Sequence, residues 1–177
     1  MKIKMYMIPV ITALANVLFS QTTGNRTVSV TLPLVTLLDI EPPGTVAMDF
    51  TAPSEAGSPL TVPIANTTKW INYTSAIAAG GLTKRITASV NQTIPGINIR
   101  LQAAAASGSG GGTLGTAASP VTLATTEVNI ITGIGAAFTG NGTNNGHRIT
   151  ISLVVSNYAN LNARTNTPII ITYTITE

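Results

Sequence analysis

The residue types that most often carry catalysis are scarce in this 177-residue chain. It has one histidine, His147, no cysteine and six acidic residues, so a thiolate nucleophile and a metal site built from several histidines are both excluded. A serine triad would have to use His147, and no G-x-S-x-G motif marks a nucleophile elbow. The acids show no spacing typical of a glycosidase pair. The sequence therefore predicts a protein that is not an enzyme, with no catalytic residue and no cofactor.

Two other patterns resemble binding sites. The glycine-rich stretch at residues 107–115, SGSGGGTLG, lacks the lysine and the following helix of a phosphate-binding loop, so we interpret it as a flexible surface loop. Asp39, Glu41 and Asp49 could gather at one turn and bind Ca²⁺, but solvated strand ends are the favoured interpretation. No metal site is predicted.

Sugar binding requires an exposed aromatic ring, and the chain has a single tryptophan, Trp70. Within KWINYTS, alternation puts Trp70 and Asn72 on one face and Ile71 and Tyr73 on the other. A lone tryptophan in a β protein usually belongs to the core. The alternative is that Trp70 contacts a ligand together with loop residues 140–146.

The chain begins with the pattern of a secretory signal peptide. Two early lysines precede an apolar stretch at residues 5–19, which is shorter than the roughly 20 apolar residues of a membrane span. We place the cleavage after Ser20, with Ala15 as an alternative site, and an uncleaved membrane anchor is the competing interpretation. The sequence thus predicts a signal peptide at 1–20 and a single exported domain at 21–177, without a membrane span in the mature chain.

Charge is sparse along the whole chain. Only 8% of the residues are charged, and Lys84 and Arg85 are the one adjacent basic pair of the mature part. Nucleic-acid binding needs basic residues clustered on a face, so that class of partner is excluded. A weakly charged surface repels its own copies poorly, which permits self-association.

Alternation of apolar and polar residues recurs through the mature part. It is clearest in RTVSVTL, KRITASV, INIRLQA and HRITISLVVS, and clusters of Gly, Pro, Asn and Ser separate these runs. Further candidate strands lie at 35–40, 46–50, 60–64, 70–77, 121–123 and 128–132. No amphipathic helix is predicted. Many short strands with turns between them favour an all-β fold, an antiparallel β-sandwich.

The chain ends in TPIIITYTITE, a β-branched and aromatic run at a place where most domains are loosely ordered. Its inward-facing residues are predicted to be Ile169, Ile171, Tyr173 and Ile175. Burying four such side chains contributes about 6–12 kcal/mol as an upper estimate, comparable to the stability of a whole domain. The last strand is therefore expected to complete a core, most simply that of its own domain.

A second alternating strand is predicted near the start of the mature chain. Val28, Val30 and Leu32 share one face, and Pro33 then ends ladder pairing. Such a strand can stay in its own sheet, or it can leave and complete the sheet of a neighbouring subunit by β-strand addition. Donation from head to tail does not close, so it yields filaments.

Three stretches carry a resemblance to known proteins: KRITASVNQTIPGINIRLQAAAASGSGGGTLG, VTLATTEVNIITGIGAAFTGNGTNNG and the closing IIITYTITE. The chain resembles a family of secreted β-sandwich proteins from Gram-negative bacteria and is loosely similar to fimbrial, pilin-like subunits that form surface filaments. The resemblance implies an Ig-like or pilin-like sandwich and carries over no catalytic residue. Lipoprotein-derived pilins differ from this chain, because it has no cysteine.

An alternating strand at each end of a weakly charged exported chain predicts a structural subunit of an extracellular filament or fimbria-like surface assembly. The subunits would form a homopolymer by strand donation, with Val28, Val30 and Leu32 as donor residues. The competing hypothesis is a secreted adhesin or carbohydrate-binding module in which Trp70 contacts host or environmental glycans.

Overall fold

The computed structural model describes residues 23–177, so the predicted signal peptide at 1–20 lies outside the described residues. The chain divides into two units, Met1–Leu32 and Pro33–Glu177. In the first unit, the described residues 23–32 form no strand and no helix. The second unit contains all the secondary structure described below.

The second unit is built from antiparallel strands, which confirms the all-β prediction. The only helical element of the described residues is a 3₁₀ turn at Tyr158–Asn160, and none of these residues forms a helix long and apolar enough to cross a membrane. The strands are β1 (Val35–Glu41), β2 (Asn66–Ala76), β3 (Lys84–Val90), β4 (Ile97–Ala103), β5 (Gly111–Ala117), β6 (Val121–Thr122), β7 (Val128–Phe138), β8 (His147–Val155) and β9 (Ile171–Thr176).

The nine strands form one continuous hydrogen-bonded system in the order β6-β4-β8-β2-β7-β3-β9, with β1 added to β2 and β5 added to β7. Strand β2 changes partner along its length. Its first half pairs with β8, and Thr74 and Ser75 then pair with β7. Four strands therefore pair on one side only among the described residues, namely β1, β5, β6 and β9.

The core follows from the alternation. In β3, Ile86, Ala88 and Val90 are buried, as the period of two predicts, and β4 and β8 contribute in the same way. The fully buried apolar side chains come from β2, β3, β4, β7 and β8, with Leu123 following β6. The inward residues of β1 and β9 pack against this core but stay half-buried. Cover over the core is therefore incomplete at these two edges, as it is at β5 and β6, where Leu114, Ala117 and Val121 are also half-buried.

Three of the predicted strands do not form. Residues 46–50 form no strand, and in residues 60–64 only Thr61 makes an isolated bridge, to Thr51. Pro59 precedes the second stretch and Pro63 lies within it. Proline cannot donate to a ladder, which explains why pairing does not extend. The third, residues 27–32, also forms no strand.

The predicted flexible loop at 107–115 is wrong in its second half, because residues 111–117 form β5. This strand approaches the backbone of β7 too closely for any side chain at two positions. A Cβ atom at Gly112 would collide with the carbonyl oxygen of Ala136, and one at Gly115 would lie 2.7 Å from the carbonyl oxygen of Thr132. Both glycines have positive φ, which a residue with a Cβ atom rarely adopts. Glycine is thus what allows the pairing.

Two buried lysines hold the ends of β1. The Lys84 ammonium group donates to the carbonyl oxygen of Val35, at 3.2 Å, and to the hydroxyl of Thr36. The Lys69 ammonium group donates to the carbonyl oxygen of Pro42, just beyond the other end of β1. Charged donors make stronger hydrogen bonds than neutral ones. The position of β1 along β2 is therefore fixed from both ends.

We expect Gly112→Ala to destabilise the fold by about 2–5 kcal/mol, the sum of left-handed backbone strain and the collision with Ala136. Gly133→Ala is the matched control, because Gly133 also has positive φ but a Cβ atom there would meet no other atom within 4 Å. It should cost only about 1–2 kcal/mol. Urea denaturation measures both values, and equal losses for the two variants would contradict the close-approach argument.

We expect Lys84→Met to loosen β1 more than the rest of the sheet. The carbonyl of Val35 loses its charged donor, so hydrogen exchange of the β1 amides should rise about tenfold, equivalent to about 1.4 kcal/mol. The global free energy of unfolding should change less, because removing a buried charge offsets part of the loss. The exposed neighbour Arg85→Met serves as the control in the same exchange experiment. If Lys84→Met raised amide exchange equally in β1 and β4, Lys84 would have no such local role.

Candidate functional site

The segment that leads into β1 carries an uncovered apolar stripe. Val28, Val30, Leu32 and Leu34 are exposed to 80%, 74%, 87% and 73% of their surface. Sequence reasoning expected a half-buried strand at residues 27–32, and the structure differs because residues 23–34 form no strand. The stripe is therefore a strand sequence without a sheet.

The stripe is longer than the sequence analysis proposed. Leu34 continues the period of two beyond Pro33, and sequence reasoning missed it because proline was taken as the end of pairing. The signal was present in the spacing, since every second residue from Val28 to Leu34 is apolar. We call residues 27–34 the N-terminal segment.

Strand β9 presents the opposite situation, an ordered strand with one unused edge. It pairs with β3 from Ile171 opposite Val90 to Thr176 opposite Arg85, and its other side has no ladder in the described chain. The predicted inward residues Ile169, Ile171, Tyr173 and Ile175 pack against the core and remain half-buried. Burial raises the pKa of the Tyr173 phenol, so this group stays uncharged at physiological pH.

Hydrogen bonds at the start of β9 show which backbone groups face outward. The N–H of Ile170 donates to the Asn91 side-chain oxygen at 2.9 Å, and the Ile170 carbonyl accepts from the Asn91 N–H at 3.1 Å. In an antiparallel ladder the direction alternates from residue to residue. The N–H and C=O groups of Thr172, Thr174 and Thr176 therefore point toward β3. Those of Ile171, Tyr173 and Ile175 point to the free edge.

The other edge strands are protected in ways that β9 is not. Natural sheets block unwanted pairing with charges, bulges or very short edge strands. Strand β1 carries Asp39 and Glu41, β5 is glycine-rich with an irregular register, and β6 has only two residues. Strand β9 has the sequence ITYTIT, with no charge, proline or glycine. Among the described strands, β9 is the edge most open to another strand.

Trp70 lies on the opposite face of β2 from Ile71 and is half-buried. Its cross-strand neighbours are Glu41 on β1 and Arg148 on β8. Directly opposed residues place their side chains on the same face of a sheet. Trp70 is thus set in a row between an acid and a guanidinium group.

The loop at residues 140–146 is organised by the side chain of Asn145. Its oxygen accepts from the Ser109 N–H at 3.0 Å, and its amide nitrogen donates to the Asn141 carbonyl at 2.8 Å. The Asn145 carbonyl in turn accepts from the amide nitrogen of Asn72 on β2, at 2.7 Å. The loop is tied both to the glycine-rich stretch and to the strand that carries Trp70.

His147 is the first residue of β8 and is completely buried. Its Nδ1 lies 2.8 Å from the Ala104 carbonyl oxygen, and its Nε2 lies 3.1 Å from the Tyr73 hydroxyl, which also donates to the Leu114 carbonyl. The two rings stack with their centres 5.8 Å apart, and burial raises the pKa of the Tyr73 phenol. These contacts join β2, β5 and β8 and leave the imidazole facing protein rather than solvent.

The acidic residues do not form a metal site in the part of the chain that the structure describes. No group of three or more His, Asp or Glu side chains there is placed to hold an ion. Asp39 accepts a hydrogen bond from the N–H of Ile40 next to it, as a strand-end carboxylate does. The described residues thus offer no Ca²⁺ site at Asp39, Glu41 and Asp49.

Comparison with protein-family models, curated proteins and solved structures finds no match to this chain. The two features that stand out for function are then the exposed stripe of the N-terminal segment and the free edge of β9. Any functional assignment rests on their geometry.

Proposed function

We propose that this protein is a structural subunit of an extracellular filament or fimbria-like surface assembly, and that its copies polymerise by β-strand donation. The observation that carries the proposal is the exposed stripe of Val28, Val30, Leu32 and Leu34. Apolar side chains at every second position fit one face of a strand. A row of such side chains exposed to water is typical of a surface that binds a partner. The N-terminal segment is the donor.

The magnitudes are in the range that an assembly needs. Burying the four side chains contributes about 6–12 kcal/mol as an upper estimate. Association costs about 4–15 kcal/mol in lost translational and rotational freedom. Since these terms are similar in size, the apolar stripe alone gives weak binding. Backbone hydrogen bonds to an already ordered strand must supply the surplus.

The proposed contact joins two different surfaces, a terminal segment and a sheet edge. Such an interface is heterologous, so each added copy offers a new donor and a new acceptor. Where the rotation between successive copies does not close a ring, the result is an open chain of subunits. The low charge of the sequence, 8% charged residues, favours close contact between identical copies.

We also propose how the two ladders pack against each other and where the protein acts. The ladder β1-β2-β8-β4-β6 and the ladder β5-β7-β3-β9 would face each other across the core as an Ig-like or pilin-like sandwich, joined where β2 passes from β8 to β7. The single contiguous core supports this arrangement. Residues 1–20 would direct export and be removed, so that the mature protein functions outside the cell.

We expect Val30→Asp to abolish polymerisation, because the carboxylate would be buried in the neighbour's core without a partner. The affinity between subunits should fall at least about 100-fold, equivalent to about 2.7 kcal/mol. Thr31→Asp is the matched control, since the next residue points to the other face of the segment and should leave polymers intact. Size-exclusion chromatography with light scattering and negative-stain microscopy of surface material measure both. Wild-type material that is purely monomeric, or a Val30→Asp variant that polymerises normally, would refute the proposal.

A second candidate function is glycan binding at Trp70, favoured by the row of Glu41, Trp70 and Arg148 on one face. Sugars combine an apolar face, which stacks on an aromatic ring, with hydroxyl groups that bind charged neighbours. On this hypothesis the protein is an adhesin-type module.

We expect Trp70→Ala to remove any retention on a glycan array, since the ring supplies the stacking surface. Phe138→Ala is the control, because Phe138 is an exposed aromatic side chain on another strand. Equal retention of both variants and the wild type would exclude Trp70 as a glycan contact. No retention of the wild type on any glycan would remove this second function.

A further inference from the structure

We propose that the acceptor of the N-terminal segment is the free edge of β9 in a second copy of the chain, paired antiparallel in a single register. This inference rests on the proposed function and names the partner surface and its geometry. Arg26 of one copy would lie opposite Glu177 of the next, and each following residue would pair with the preceding residue of the acceptor.

In this register every apolar residue of the donor meets an apolar residue of the acceptor. The apolar pairs are Val28 with Ile175, Val30 with Tyr173, Leu32 with Ile171 and Leu34 with Ile169. The polar pairs are Thr27 with Thr176, Ser29 with Thr174 and Thr31 with Thr172. A shift of one residue in either direction would place every apolar donor residue opposite a threonine, Ile170 or Pro168. The apolar pairs fall on the inward face of β9, where cover over the core is incomplete.

Pro33 gives an independent check of the register. It falls opposite Ile170, whose N–H and C=O are both directed to Asn91 and therefore away from the free edge. At such a position the incoming strand makes no backbone hydrogen bond to β9. The missing N–H of Pro33 therefore removes no bond from the ladder. The donor residues that would bond to β9 are the ones that precede and follow it.

Charge decides between the two possible strand directions. One parallel alignment matches three apolar pairs but puts Leu34 beside Glu177 and Arg26 beside Ile169. Another matches four apolar pairs, from Val28 with Ile169 to Leu34 with Ile175, but it puts Ser29 opposite Ile170 and leaves Arg26 opposite Thr167. The antiparallel alignment also matches four apolar pairs, and it places the Arg26 guanidinium beside the Glu177 carboxylate and Leu34 beside Ile169. Opposite charges across a strand pair stabilise it, whereas a charge facing an apolar side chain does not.

The donor must come from another copy while β1 keeps its place. Strands β1 and β9 run in the same direction, because four antiparallel pairings separate them along the order β1-β2-β7-β3-β9. A donor antiparallel to β9 is therefore also antiparallel to β1. Within one chain, Leu34 would have to reverse direction into Val35 with no connecting residue, whereas the tightest common hairpin has two. The bonds from Lys84 to the start of β1 oppose any unravelling that would make room.

Disulfide trapping tests the register, and the chain has no cysteine that would interfere. Full-length Ser29→Cys and Thr174→Cys variants are produced in an exporting bacterial host, mixed and oxidised. In the proposed register these residues are directly opposed, about 4.5 Å apart between Cα atoms. Full-length Thr172→Cys mixed with Ser29→Cys is the matched control, because it is a diagonal pair about 7–8 Å apart, beyond the reach of a disulfide. We expect at least about tenfold more covalent heterodimer from the first mixture than from the second.

The outcomes separate this inference from the proposed function. Polymers that form without the 29–174 cross-link, or with more 29–172 product, would overturn the register while leaving strand donation in place. If a double variant with Ser29→Cys and Thr174→Cys formed its disulfide only within single chains, the acceptor would not be a second copy, and this inference would be overturned. If neither polymers nor cross-links form, both proposals fall together. The Cys variants lie on the outward polar face, so each should fold, and a far-ultraviolet spectrum of each variant verifies this before mixing.

Discussion

A β-strand has two needs at once, hydrogen-bond partners for its backbone along both edges and cover for its apolar face. Most strands of this protein meet both needs within the sheet. Strand β9 has hydrogen-bond partners along one edge only, and its apolar residues are half-buried. The N-terminal segment has the alternation of a strand, but it forms no strand and its apolar side chains are exposed. One of these elements precedes the first strand and the other is the last strand, and each lacks what the other could supply.

The other strands supply most of the packing that stabilises the fold. The fully buried core comes from strands in the middle of the order, so the domain does not depend on the cover of β1 or β9 for its main packing. Lys69 and Lys84 secure β1, and Gly112 lets β5 sit tightly on β7. His147 and Tyr73 tie three strands together from inside. A body of this kind can keep one edge open without losing its shape.

How much the sequence could predict depended on whether a pattern was local. Alternation in β3, β4 and β8 is a local property, so those strands and their buried residues were predictable. Strand β5 was not, because its glycines matter only once the backbone of β7 is known to lie against them. The strand expected at residues 27–32 had the correct period but no partner within the described chain, since alternation specifies a face and says nothing of which sheet receives it. The hydrogen-bonding direction of Ile170, and with it the free edge, required coordinates.

Leu34 is covalently followed by Val35, the first residue of β1, whose carbonyl oxygen is held by Lys84. In a filament of the proposed kind, tension would therefore pass from the docked strand straight into β1 and then sideways into β2. Antiparallel hydrogen bonds lie perpendicular to such a pull, so they resist it together in shear instead of opening one after another. The absence of any loop between Leu34 and β1 would make each junction stiff under stretching, and the fibre would transmit force without a slack hinge.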